Sequence, residues 1–311
     1  MNKLVIGLGA ANVDIHGRSR QSVIMRDSNP GHLTVAAGGV TRNILENAAR
    51  LGCSSTLLTA LGDDPLTGVI EKACAAGGVD LSEAMRVSGQ PSSSYISVLD
   101  TDGDMLVAVS DMQVIKNLTP QWLDSKKELV QRAAVAVVDG CVDPALMEHF
   151  LLDTAKGIPV FGDTVSTAYA LTIKQFLPYF HTVKPNRLEL GILADMPVDT
   201  EEQVKAACDA VLEKGTFRVA VSMGGDGCYI ASRDGDCVRV KHRAVEQVVN
   251  AGGGGDAFMG ALISAFVRGY NNETAADWGL AAGALAVSAE TTINPDMSES
   301  NILKTVKERK V

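Results

Sequence analysis

Apolar residues along this chain fall into short runs separated by longer stretches of helical spacing. The runs at 4–8, 55–60, 135–139, 159–163, 181–184 and 218–222 have the length and bounding residues of buried strands. Between them, apolar positions recur every three to four residues over 40–51, 67–76, 144–156, 201–214, 257–268 and 273–288, which predicts helices. Alternation of strand and helix implies a parallel sheet covered on both faces, joined by right-handed crossovers. Two stretches break the rhythm. Residues 12–35 are polar and irregular, while 94–99 and 105–109 alternate on either side of the hairpin signal Asp100-Thr101-Asp102-Gly103. Both interruptions lie between main-sheet elements and are expected to pair into a small second sheet acting as a lid. Residues 1–311 are therefore expected to form one α/β domain with lid segments inserted at approximately 12–36 and 93–112. Near the end, 217–222, 227–231 and 237–240 read as a strand followed by a hairpin, so antiparallel strands should finish the sheet.

Composition narrows the function. With 311 residues, 46% hydrophobic and only 21% charged, the chain can bury a large core. A formal net charge of −9, without a Lys/Arg cluster, argues against a nucleic-acid partner. Any bound phosphate must be held locally, by backbone N–H groups, a few side chains and a metal ion. Six scattered cysteines without a Cys-x-x-Cys pair suggest a reducing compartment, and five histidines far apart in sequence form no zinc pattern. The apolar N-terminus meets Asn12 and Asp14 too soon for a signal peptide, and no run has the length of a membrane span. The reading is a cytoplasmic protein with no membrane partner.

The most informative stretch is Asn250-Ala251-Gly252-Gly253-Gly254-Gly255-Asp256-Ala257-Phe258, which runs straight into a predicted helix. Glycine lets backbone N–H groups crowd a ligand, and the first N–H groups of a helix lack internal partners. With the helix dipole they form an anion site, phosphate above all, and Asp256 is placed to take a proton from an attacking hydroxyl. An ordinary Asp cap behind a Gly-rich turn is the structural alternative, although four glycines exceed what a cap needs.

Other candidates follow strand ends. Asn12 and Asp14 would share one face of an extended segment and suit a polyol or ribose, or else form a turn. The opening Gly7-Leu8-Gly9 lacks the third glycine of a dinucleotide fingerprint, and no Walker-type loop exists. Gly38-Gly39 enters a helix with Arg42 and Asn43. In Lys184-Pro185-Asn186-Arg187-Leu188-Glu189, Asn186 and Glu189 could hold phosphate and order a hydrated Mg²⁺, or simply form a capping box.

Taken in order, Gly38-Gly39 with Asn43, Lys184-Pro185-Asn186 with Glu189, Gly224-Gly225-Asp226-Gly227 and Gly253-Gly254-Gly255-Asp256 resemble the ribokinase-like (PfkB) sugar and nucleoside kinases, essentially end to end. Within that family, stretches such as Asp27-Ser28-Asn29-Pro30-Gly31, Ser93-Ser94-Tyr95 and Asn294-Pro295-Asp296 look most like the branch acting on pseudouridine. The resemblance implies a three-layer α/β/α fold with a mostly parallel central sheet and a β-sheet lid that often pairs into homodimers. It implies ATP and Mg²⁺ as cofactors, and it admits a monovalent cation such as K⁺. It makes Asp256 the catalytic base and Gly253, Gly254 and Gly255 the anion hole. Asn12, Asp14, Gly39, Arg42, Asn43 and Asp111 would bind the substrate. Asn186, Glu189, Ser222, Gly224 and Gly227 would serve the nucleotide, with Glu189 reaching the metal through water.

The activity implied is phosphorylation of the 5′-hydroxyl of a ribonucleoside, pseudouridine first. Another nucleoside, a free sugar, or a non-catalytic nucleoside-binding protein on the same fold are the alternatives. Gly254 stands where the family usually has Ala, and Gly252 where Thr is common. Thr41 stands where the pseudouridine branch tends to carry Gly.

Overall fold

A computed structural model describes residues 3–250 and 252–310. The chain opens with β1 (Leu4–Leu8), β2 (Asn12–Ser19), β3 (Gly31–Gly38), α1 (Val40–Arg50) and β4 (Ser54–Leu58). It continues through β5 (Ala60–Leu61), α2 (Pro65–Gly77), β6 (Val79–Asp80), β7 (Met85–Arg86), β8 (Ser94–Leu99) and β9 (Met105–Asp111). Next come the short helices α3 (Pro120–Asp124) and α4 (Lys127–Val130), then β10 (Val135–Asp139), α5 (Pro144–His149), β11 (Val160–Asp163), α6 (Thr167–Gln175), β12 (Thr182–Lys184) and α7 (Arg187–Ala194). The remainder is α8 (Glu201–Glu213), β13 (Arg218–Ser222), β14 (Cys228–Ser232), β15 (Cys237–Val240), α9 (Gly254–Val267), α10 (Asn272–Val287) and α11 (Glu299–Arg309).

Nine strands form the central sheet in the order β15-β14-β13-β12-β11-β10-β1-β4-β6. It is parallel from β6 to β13, and β14 and β15 close it antiparallel, as the late hairpin pattern predicts. The inner strands are apolar on both faces because helices cover both sides. One core layer joins Ile6, Val138 and Val183 to Phe150, Leu177 and Leu190; the other joins Val5, Val137 and Phe161 to Ile44, Phe258 and Leu262. The α9–α10 pair is seated by small residues: Gly260 packs where a Cβ would approach Asn47, and Gly279 where one would enter the Phe258 ring.

The second sheet has the order β3-β2-β8-β9. Residues 12–35, irregular in sequence but expected to pair with 93–109 in a small second sheet, supply β2 and most of β3. Their apolar alternation is real but sparse: Val13, Ile15 and Gly17 lie opposite Ala37, Val35 and Leu33. The polar residues between them hide it from a sequence scan. A helix continues α5 only as a single wide turn over Phe150–Thr154, shorter than the regular helix expected over 144–156. Helices α6 and α11 go beyond the sequence reading.

Candidate active site

Parallel strands that end together bring their last residues side by side, at the edge where α/β proteins hold ligands. Here Asp139 at the end of β10 pairs with Asp163 of β11, which pairs with Lys184 of β12. Lys184 Nζ lies 3.3 Å from Asp163 Oδ2, and both side chains are buried. That contact is an ion pair without hydrogen-bond geometry, so Asp163 Oδ2 has no hydrogen-bonding partner among the described residues.

The first turn of α9 closes over this row. Gly253 holds the N-cap position at φ 77°, where a Cβ would come within 2.1 Å of the Thr292 carbonyl oxygen, so only glycine fits. The helix begins with Ala257 N–H donating to Gly253 O, which leaves the preceding amides of the first turn without helical partners. Gly255 comes so close to the Lys184 amine that a Cβ would touch it at 3.4 Å. Gly254 is less demanding: its backbone is helical, and a Cβ would press Val287 at 3.0 Å. The residue that the family usually carries would be tight here but not excluded.

Asp256 projects from that turn and accepts from Asn43 Nδ2 at 2.8 Å. Its surroundings push its pKa up to about 7, chiefly because burial penalises the charge, and secondly because Asp163 repels it. Asn43 and Lys184 oppose the shift. Burial alone would lower the pKa of Lys184, but Asp163, Glu189 and Asp256 together raise it, so it stays an ammonium. A carboxyl poised near neutrality beside unpaired helix amides can accept a proton from a hydroxyl as an anion binds alongside.

Several expected substrate residues converge. Asn12 Nδ2 donates to Asp14 Oδ1 at 2.6 Å, and burial raises the Asp14 pKa. Gly38 has no side chain because any Cβ would occupy the Asp14 carboxylate position, at 2.2 Å. Gly39, at φ 103°, turns the chain into α1 against the Ala10 carbonyl. Arg42 is different. Its guanidinium is wholly buried, paired with Glu46 at 2.6 Å, and bonded to Ala37 O and Asn43 Oδ1. It does not reach the cleft; it fixes the Asn43 amide so that Nδ2 faces Asp256. Asp111 pairs with Ser94, which pairs with Val13, so the register puts it on the sheet face opposite Asn12 and Asp14.

Asn186 and Glu189 form the capping box considered from sequence. Glu189 N donates to Asn186 Oδ1 at 2.9 Å, and Asn186 N to Glu189 Oε2 at 2.8 Å. Glu189 Oε1 accepts from Asn186 Nδ2 and Oε2 also from Thr164, so the cap is locked into the carboxylate cluster. Among the described residues no three His, Cys, Asp or Glu side chains stand together to ligate a metal directly. Even so, among the described residues Asp163, Glu189 and Asp256 all act on the Lys184 ammonium, and Asp139 adjoins Asp163 and Asp256. That negative excess, with the orphaned Asp163 oxygen, fits a divalent cation held through water.

Beyond the α9 turn opens a cavity of about 420 Å³, lined by Ser222, Gly224 and Gly227 on one side and Gly254 and Gly255 on another. Gly224 and Gly227 adopt φ 56° and 88°, and a Cβ on Gly227 would strike the Val240 carbonyl at 2.2 Å. The far wall comes from His242, Val245, Leu280 and Gly283, which sequence reasoning did not single out. It also missed Lys184, Asp139 and Asp163 as site residues. Both aspartates end predicted neighbouring strands, and that position was the available signal. Thr41 is buried, donating from Oγ1 to Asp139 Oδ2 at 2.7 Å.

The pfkB family carbohydrate kinase profile matches residues 2–299. Over 305 residues the chain is 35% identical to the pseudouridine kinase of Escherichia coli K12, covering 97% of this chain and 96% of that one. A crystal structure of a putative sugar kinase from Clostridium perfringens superposes with a TM-score of 0.90 at 30% identity, covering 99% and 96% of the two chains. A putative ribokinase II from E. coli, solved with ATP and Mg²⁺, shares the fold at a TM-score of 0.82 and 20% identity, covering 99% and 100%. With its ribokinase-like three-layer fold, small second sheet and Gly-rich helix entry ending in Asp256, the chain belongs to the pfkB family of carbohydrate kinases, phosphotransferases that act on hydroxyl groups.

Proposed function

We propose that this protein transfers the γ-phosphoryl group of ATP to the 5′-hydroxyl of a ribonucleoside, pseudouridine in the first place. The observation that carries the reading is Asp256: a carboxyl with pKa about 7, held by Asn43, beside the bare amides of the α9 turn, whose Gly254 and Gly255 line a nucleotide-sized cavity. Asn12, Asp14 and Gly39 would bind the ribose, leaving its 5′-oxygen near Asp256. Asp256 takes the hydroxyl proton as that oxygen attacks the γ-phosphorus in line. Charge on the transferring group is met by the Gly253–Asp256 amides and by the Lys184 ammonium. Mg²⁺, ordered through water by Glu189, would neutralise phosphate charge. Similarity to the pseudouridine kinase of E. coli favours pseudouridine among possible acceptors.

Release of ADP measured with pseudouridine, uridine, ribose and no acceptor tests the reading. Turnover only with pseudouridine supports it, equal rates on uridine remove the narrow specificity, and no ADP with any acceptor removes the kinase.

The same reading includes a homodimer through the second sheet. Its outward face carries two apolar rows across the strands, Val35, Ile15, Ile96 and Val109, then Leu33, Gly17, Val98 and Val107. Leu33 is 72% exposed and Val109 65%, a contiguous apolar patch of the kind that marks an interface. Val98→Asp is expected to convert a dimer to monomer in sedimentation analysis; an unchanged mass would refute this interface.

A further inference from the structure

His242 follows β15 and lines the cavity, yet its ring is almost wholly buried, at 3% side-chain exposure. Its Nε2 lies 2.9 Å from Asp277 Oδ1 on α10, and the other Asp277 oxygen accepts from Lys310 Nζ at 2.7 Å. Although burial works against its charge, the hydrogen bonds from His242 and Lys310 bring the Asp277 pKa below the ordinary carboxylate value. An ionised carboxylate only accepts, so the imidazole must donate from Nε2. In the neutral ring that leaves Nδ1 with a lone pair, and this atom is buried with no hydrogen-bond partner among the described residues. A buried acceptor without a donor is costly, and the residue that carries it lines the cavity.

Position along α10 says which part of a nucleotide lies nearby. Gly283 abuts the Gly254 carbonyl, at the phosphate end of the cavity. Asp277 is six residues earlier, about 9 Å along the helix axis. A nucleotide whose phosphates meet the α9 turn therefore extends its base toward Asp277 and His242.

We infer that His242 reads the base of the phosphoryl donor: its Nδ1 accepts from the exocyclic amino group of adenine, with Asp277 and Lys310 fixing the tautomer. The inference rests on the kinase reading above and adds a specificity determinant to it. A purine with a carbonyl at the same carbon would set oxygen lone pair against nitrogen lone pair, and the enzyme discriminates against it.

ATP and ITP differ only at that carbon and at the adjoining N1, which carries a proton in ITP, so kcat/KM for each, with the acceptor found in the substrate panel, is the measurement. Wild type is expected to favour ATP about 10–100-fold. In His242→Ala the ATP value falls and the preference shrinks to within about threefold, because the mismatch penalty disappears with the ring. Asp277→Asn, which frees the tautomer, raises ITP relative to ATP and serves if the alanine variant does not fold. The ratio of 2′-deoxy-ATP to ATP stays at its wild-type value in both. A folded, active His242→Ala enzyme with an unchanged ATP/ITP ratio overturns the inference and leaves the kinase standing. A change confined to 2′-deoxy-ATP assigns the ring to the ribose and also overturns it. Absence of ADP release from wild type with every acceptor sinks both readings together.

Discussion

Asp256→Asn separates what the carboxyl does for catalysis from what it costs the fold. The group's pKa rises from an ordinary 3.8 to about 7. At 1.36 kcal/mol per tenfold change in proton affinity, that step is at most about 4 kcal/mol. The residue keeps some solvent contact, and the asparagine oxygen can still accept from Asn43, so about 1–3 kcal/mol is the expected effect.

The sign follows from linkage. Between pH 4 and 7 the unfolded chain has lost this proton and the folded protein retains it, so wild-type stability falls as pH rises through that window. Below pH 4 both states are protonated and the penalty vanishes. Asp256→Asn should therefore melt a few degrees above wild type at pH 8, with the gain shrinking toward pH 4. Over the same substitution kcat should drop about 10²–10⁴-fold. The wild-type rate should climb with pH through about 7 as the base ionises. Calorimetry on the ligand-free protein across pH, with ADP-release kinetics on the same samples, makes the comparison. A variant less stable than wild type at pH 8, or one turning over near the wild-type rate, would refute the reasoning.

Two further substitutions test how the turn and the strand ends are built. Gly253→Ala places a Cβ against the Thr292 carbonyl at a positive φ, and should cost about 1–3 kcal/mol in denaturant titration and about 10²–10³-fold in kcat. Gly254→Ala meets only the Val287 methyl and should stay within a few fold of wild type; equal damage at both positions would contradict the glycine argument. Thr41→Val keeps the volume but removes the hydroxyl from Asp139, whose pKa burial already raises. A loss of about 1–3 kcal/mol in thermal unfolding is expected, and a neutral result would mean that Asp139 is held by its remaining partners.

Much of this protein is written locally. Strand β1 and helix α1 are visible as hydrophobic periods, because a buried parallel strand and a helix stripe each impose their own spacing. The α9 turn is equally legible, since four glycines before an aspartate serve little else. The capping box of Asn186 and Glu189 follows from their three-residue separation. What one dimension could not carry is adjacency. Asp139, Asp163 and Lys184 are ordinary strand-end residues until three parallel strands set them in a row. The family resemblance assigns Arg42 to the substrate; only packing shows its guanidinium spent on Glu46 and Asn43. Likewise β2 and β3 were obscured because a two-faced sheet shows its alternation clearly only when register says which residues share a face. The pKa of Asp256 belongs wholly to the fold: burial and the Asp163 charge raise it, Asn43 and Lys184 oppose them, and strand order and helix packing rather than neighbourhood along the chain bring these groups together.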